Sequence, residues 1–320
     1  MAAGLVCPQL KRDPLGGAAA GTAAVTTTMP SRPSLPTVNR FLSAEFCGTF
    51  IDDSGTPGQS SPSEHLHPGR KTWVALVLEA HHVATVYREM PGALSELARH
   101  VNADEFHAVD IYGGTGEFAS APLNVRLAFL QSLAYLFAKY RFPVLVQTFS
   151  PANVAEHEHV LSAAGTIGPF DFTSATDAGL LLLIRQVREY LAQQPQSFQE
   201  PCVLVADEGR CKAGAFVPVP PFASFAIHGG LFFESSRAVF PLQLADFAAF
   251  SINRTQWLLT KQRRTDLDNW ILGLLSTFSS CFVNLPKLRG NPDTWTPDDY
   301  DDFQEKDRGS KGLKPKPPPA

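Results

Sequence analysis

Four acids in this chain of 320 residues are framed by apolar neighbours: Asp52 in FIDDSG, Glu105 in EFHAVDI, Asp207 in VLVADEG and Asp246 in PLQLADFAAF. A carboxylate withdrawn from water without a partner is costly, so framed acids pair with cations, hydrogen-bond donors or a metal. Oxygen-only ligands of this kind suit Mg2+ or Mn2+ rather than zinc. Carboxylates that converge from different strands and helices on one or two such ions form the arrangement that hydrolyses phosphodiesters. There, one ion generates hydroxide and the other steadies the leaving oxygen. Plainer readings stand beside this one. Asp-Ser-Gly is ordinary turn chemistry after a strand, and an acid inside a helix can cap it or bridge to a basic helix.

The supporting cast is legible around these acids. Asp53 follows Asp52 directly, and strand side chains alternate in direction, so only one of the two can face a common site. Glu208 stands in the same relation to Asp207. Gln243 precedes Asp246 by one helical turn and shares a neighbouring part of its face. His107 falls two residues after Glu105, on the same side if that stretch is extended, and His228 precedes Gly229-Gly230; either can act as a general acid or base or contact a phosphate. His65-Leu66-His67 and Glu156-His157-Glu158-His159 resemble metal motifs, but a Ser/Pro/Gly loop and a diverging helical spacing favour surface polar residues for both. The formal net charge of −4 exerts no general pull on polyanions. A nucleic acid would therefore need a local patch, for which Arg254, Lys261, Arg263 and Arg264 are the candidates; the plainer reading of that run is a solvated helix end.

Other catalytic grammars are missing from the sequence. It has no GxSxG elbow, no GxxxxGK[ST] phosphate loop and no GxGxxG after a strand, and Gly113-Gly114-Thr115-Gly116 lacks the spacing. The cysteines (Cys7, Cys47, Cys202, Cys211 and Cys281) are odd in number and widely spaced, without a CxxC pair. That pattern argues for a reducing, cytoplasmic setting and against a thiolate zinc site. No apolar run reaches the ~18 residues of a membrane helix. Leu15 to Val25, after Lys11 and Arg12, is too weakly hydrophobic for a signal segment, and Met29 is open as an alternative start.

The elements that must position the acids follow from periodicity. Apolar runs ending in acids and glycine at 47–55 and 201–209 predict core strands, and 72–80, 142–149 and 227–236 predict three more. HHVATVY (81–87) is expected to extend the second strand or pair back on it. A helix is expected to open at Pro91 and run to 101. The stretch 105–118 reads as loop with strand-prone islands, followed by a helix over 122–140. Helices are also expected over 151–163, 173–193 (capped by Ser174 or Thr176), 242–259 and 265–282, with a Pro-rich connection at VPVPPF. Strands interleaved with helices predict an α/β fold with acids at strand ends. Residues 1–40 are Ala/Gly/Thr/Pro-rich and residues 288–320 are polar and charged; both are expected to be disordered around a domain spanning 41–287.

Taken together and in this order, FIDDSG, EFHAVDI, VLVADEG and FFESSRAVFPLQLADFAAF resemble the proteins of domain of unknown function 3800, over about residues 46–260. The resemblance implies an RNase H-like α/β fold, with a mixed central sheet flanked by helices, and metal-dependent nuclease activity. It implies that Asp52, Glu105, Asp207 and Asp246 are ligands for one or two Mg2+ or Mn2+ ions, with His107 and Gln243 beside them. Asp53 stands where the family has Glu, which can alter a supporting contact. RNase H-like folds also include members without activity. The alternatives are a non-catalytic binding protein on the same fold and a small-molecule phosphohydrolase using the same metals.

Overall fold

The computed structural model describes residues 42, 46–55, 63–101, 103–198, 200–285 and 294–316; the segment 1–40 lies outside them. The strands, in chain order, are Gly48–Ser54 (β1), Lys71–Leu78 (β2), Val144–Phe149 (β3), Thr166–Ile167 (β4), Phe170–Asp171 (β5), Val203–Asp207 (β6), Ala215–Pro218 (β7) and Gly230–Glu234 (β8). The helices are Ala80–His100 (α1), Ala108–Gly113 (α2), Leu123–Tyr140 (α3), Pro151–Glu156 (α4), Glu158–Ala164 (α5), Ala175–Gln193 (α6), Phe240–Leu259 (α7), Asp266–Ser276 (α8) and Pro297–Ser310 (α9).

Six strands form one mixed sheet in the order β3-β2-β1-β6-β8-β7, while β4 and β5 form a small separate hairpin. β1 and β3 each pair antiparallel with β2, which lies between them, β1, β6 and β8 run parallel, and β7 closes the edge antiparallel to β8. The near-continuous apolar runs of the central strands are explained by burial on both faces. Phe50, Val74, Leu76, Val205 and Phe232 pack against α1, α3 and α7, whereas Ile51, Ala75, Leu204 and Phe233 pack against α6. α6 approaches β2 closely because Gly179 has no side chain: a Cβ there would lie 2.9 Å from Trp73 Cδ1. The three parallel strands end on one edge of the sheet, and their C-terminal residues include Asp52 and Asp207.

Several local expectations are corrected. HHVATVY is not a strand but the start of α1, whose buried Val83, Val86, Met90 and Leu97 recur at helical spacing; packing on the sheet overrides β-branched propensity. Pro91 therefore lies inside α1 at an exposed position rather than opening a helix. The stretch 105–118 contains α2 and a short 3-10 turn instead of strand islands; Gly114, at φ +64°, caps α2 by donating its N–H to Asp110 O. The 151–163 helix breaks at His157 into α4 and α5. The Pro-rich connection contributes β7, and an edge position accommodates Pro218. Cys47, Cys202 and Cys281 are buried thiols outside any disulfide, but Cys211 is disulfide-bonded, which the odd, spread-out cysteine pattern did not suggest. No described helix is long and apolar enough to cross a membrane.

The largest correction concerns the tail. Residues 297–310 form α9, opened by a Thr296–Asp299 capping box, with Tyr300 buried in the main core. Asp301 accepts from Ser63 and from Glu64 N, Glu305 pairs with His65 at 3.5 Å, and Arg308 pairs with Glu156 at 2.6 Å. The polar motifs around His65 and Glu156 thus serve as a seat for α9. Beneath it, buried Arg70 donates to Asn253 Oδ1 at 2.6 Å, and Asn253 Nδ2 donates to Ser54 Oγ at 2.8 Å and Gly55 O at 2.7 Å. This brace fastens the end of β1 to α7. Asn253→Ala removes three partners from part-buried groups, and is expected to cost about 1–3 kcal/mol. Urea unfolding is the check, and an unchanged midpoint would show that the brace carries no weight.

Candidate functional site

The acids are brought together by strand parity. Phe50, Val205 and Phe232 face α7, so Asp52, Asp207 and Glu234, two residues further along the parallel strands, face the same way. α7 crosses that face and carries Asp246 among buried Leu242, Ala245 and Ala249. Glu105 and His107 arrive from the loop preceding α2. Asp52, Glu105, His107, Asp207 and Asp246 all line one cleft of about 350 Å3, as do Asp53 and Glu208.

Backbone donors and one buried amide hold the arrangement. Asp53 N donates to Asp52 Oδ1 at 2.7 Å, Ser236 N to Asp207 Oδ1 at 3.1 Å, and Ala108 N to Asp246 Oδ2 at 2.8 Å. Gln243 is fully buried. It accepts from Phe106 N at 2.9 Å and donates to Ser236 O at 3.0 Å. Ser236 Oγ donates in turn to Glu105 Oε2 at 3.2 Å. Gln243 therefore couples the Glu105 loop to the segment after β8, a supporting role in keeping with its place one turn from Asp246. Asp53 pairs with Lys71, away from the facing aspartates.

Electrostatically the cleft is under pressure. Burial, followed by the charges of Asp246 and Asp207, raises the Asp52 carboxyl well above the usual carboxylate range. Burial lifts Asp207 to about 7, against the Glu208 and Ser236 N–H groups. Burial also lifts Asp246 to about 6, opposed by His107 and the Ala108 N–H. Burial disfavours charged His107, but Asp246 and the contact to Asp110, with Nδ1 and Oδ2 2.7 Å apart, outweigh it and raise its pKa. Mutually repelling, oxygen-only donors are a fit for a hard divalent cation, which would offset that repulsion. Among the described residues no group of three His, Cys, Asp or Glu side chains is drawn tightly enough together to enclose an ion.

Other candidates lie elsewhere. His228 is exposed at the start of β8, the end opposite the acids. None of Arg254, Lys261, Arg263 and Arg264 lines the cleft. Arg254 and Lys261 flank Trp257 and pair with buried Asp268 at 3.5 and 2.7 Å, and Arg264 donates to the carbonyls of Leu258 and Leu259. They close the α7–α8 junction, where helix-end carbonyls and a buried acid demand cations. Only Arg263 is exposed among the four.

The sequence reading passed over Ser236, Arg210 and Glu234. Ser236 carries its signal in FFESS, two residues beyond the end of β8, and Arg210 in DEGR, within the turn after β6. Glu234 is 2% exposed with Oε2 lacking a hydrogen-bond partner, and its carboxyl is raised by burial. Comparison of the chain with protein-family models, curated proteins and solved structures found no match, so the resemblance to domain of unknown function 3800 rests on the motifs themselves.

Proposed function

We propose that this protein is a divalent-metal-dependent phosphodiester hydrolase, a nuclease, on an RNase H-like fold. The observation that carries this reading is the meeting of Asp52, Asp207 and Asp246, from β1, β6 and α7, in one cleft with Glu105 and His107 at its side. The sheet order, with three antiparallel strands followed by two parallel to the first, agrees with the fold the resemblance implies. Asp52, Asp207 and Asp246, with Glu105 beside them, would hold Mg2+ or Mn2+, which supplies Lewis acidity toward a phosphoryl oxygen. Ser236 and Gln243 orient Asp207 and Glu105. His107 is the proton carrier: with Nδ1 against Asp110, its other ring nitrogen is the one to protonate the leaving oxygen.

Activity is then expected to decline on the alkaline side as His107 loses its proton, above its ordinary pKa because Asp246 and Asp110 favour the charged ring. His107→Gln is expected to remove that limb and lower the rate roughly a hundredfold. The direct test is release of fragments from labelled single- and double-stranded DNA and RNA in Mg2+, Mn2+ and EDTA. If no substrate is cut with either metal, and none when a small phosphodiester is supplied, the hydrolase reading is wrong and a binding role on this fold takes its place.

A further inference from the structure

Cations close to the acidic cleft differ in what holds them. Lys71 pairs with Asp53. Arg210, in the turn after β6, donates from Nε and Nη2 to Asp177 at 2.8 and 3.0 Å and from Nη2 to Pro169 O at 3.2 Å, so its donors serve the fold. Arg237 is placed differently. It stands in the turn between β8 and α7, which Ala238 N and Val239 N close by donating to Ser235 O, each at 3.0 Å. The residue before it, Ser236, lines the cleft, donates from N to Asp207 and donates from Oγ to Glu105. The site itself thus fixes the backbone at Arg237, and the side chain rises from the cleft wall at 58% exposure.

Two ion-pair contacts, both through Nη2, hold this guanidinium: 3.0 Å to Asp104 Oδ1 and 3.7 Å to Glu105 Oε1. Among the described residues no N–H of Arg237 donates a hydrogen bond, and Nε and Nη1 have no charged partner. Ion pairs this exposed add little to stability in water, so the fold does not account for an arginine here. Glu105 lines the cleft, which sets Arg237 at its rim. A strand whose scissile phosphate enters among carboxylates is repelled by them and needs a cation where it leaves. Resting on the phosphodiesterase reading above, we propose that Arg237 binds a phosphate of the substrate strand beside Glu105, next to the scissile one. A guanidinium is always charged and makes charge-assisted hydrogen bonds to phosphate oxygens. Its acidic neighbours leave it able to do so: the Asp104 side chain is 63% exposed and solvated, and Glu105 is a ligand whose charge a divalent ion takes up.

The test is fluorescence anisotropy of the full chain with short fluorescein-labelled oligothymidine and oligouridine in Ca2+, over a series of salt concentrations. Arg237→Gln removes the charge at an exposed position, and thermal unfolding shows that the variant is folded. Its Kd is expected to rise roughly tenfold, the scale of one charge-assisted hydrogen bond. Its log K against log salt is expected to become shallower by about 0.7, one phosphate contact on a single strand. Arg237→Lys retains the charge and is expected to keep the wild-type slope. Because Arg237 touches Glu105, the rise in Tm on adding Mn2+ is followed as well, and Arg237→Gln is expected to keep it in full. An unchanged Kd in Arg237→Gln, or a weakened Kd with an unchanged slope, overturns the proposal. A lysine variant with the slope of the glutamine variant overturns it too, as does loss of the Mn2+ shift in Arg237→Gln, which would mean that the residue acts through Glu105. If wild-type protein still binds and cleaves a strand, those results refute this inference alone. Wild-type protein that neither binds nor cleaves either strand overturns both readings.

Discussion

Asp246→Asn is expected to lower phosphodiester cleavage by roughly a hundred- to a thousandfold, the scale for removing one electrostatic group from a reaction centre, and to make the metal-free protein more stable. The two effects share one cause. Asp246 titrates at about 6 in the folded protein, raised chiefly by burial, against an ordinary value of 3.8. Between those values the folded state binds more protons than the unfolded chain, so this group's contribution to stability falls as pH rises through the window and stays low above it. Asp207, at about 7, extends the window upward. Asparagine keeps an oxygen for the Ala108 N–H but carries no charge. At pH 8 in EDTA the variant should therefore gain about 1–3 kcal/mol, seen as a rise of several degrees in Tm. At pH 5 the difference should shrink. Mn2+ should raise the Tm of wild type by binding only the native state, and leave the variant little changed. A variant no more stable than wild type at pH 8 would mean that Asp246 does not carry the burial penalty described.

Tyr300→Ala is the second large effect. A tail without a seat would tolerate it; the docked α9 would not. The Tyr300 ring is 5% exposed, in the same core as α1, α3 and α7, and truncating a buried aromatic side chain costs about 3–5 kcal/mol. The loss should extend to the site. Removing α9 uncovers the loop around Arg70, which holds Asn253, which holds the residues immediately after Asp53. Truncation after residue 293 should thus lower both the urea midpoint and the cleavage rate, with a larger effect on stability than Arg308→Ala, which removes a partly exposed ion pair. If the truncated protein unfolded at the wild-type midpoint, α9 would contribute nothing to the fold.

How much of this was legible follows the range of the forces involved. The strands at 47–55 and 201–209 could be read directly, because a core strand buried on both faces needs an unbroken apolar run and an acid marks its exit. Asp246 could be read because a charge amid Leu242, Leu244 and Phe247 demands a partner. The helix of HHVATVY could not: its β-branched residues favour a strand locally, and only the sheet on which Val83, Val86 and Met90 pack reverses that preference. α9 was hidden because its sequence is mostly charged; one tyrosine and a set of ion pairs to residues far away in the chain hold it. The cations at 254–264 looked available for a ligand until Asp268 and the carbonyls at the end of α7 were placed beside them.

By itself the sequence determined the alternation of strands and helices and the residue types available to the site, since these are set by local periodicity and by the cost of burying charge. The tertiary structure decided which acids face one another, through the shared parity of β1 and β6 and the passage of α7 across the same face. It also paired Arg210 with Asp177 and seated the C-terminal helix, because those contacts join residues that no local pattern connects.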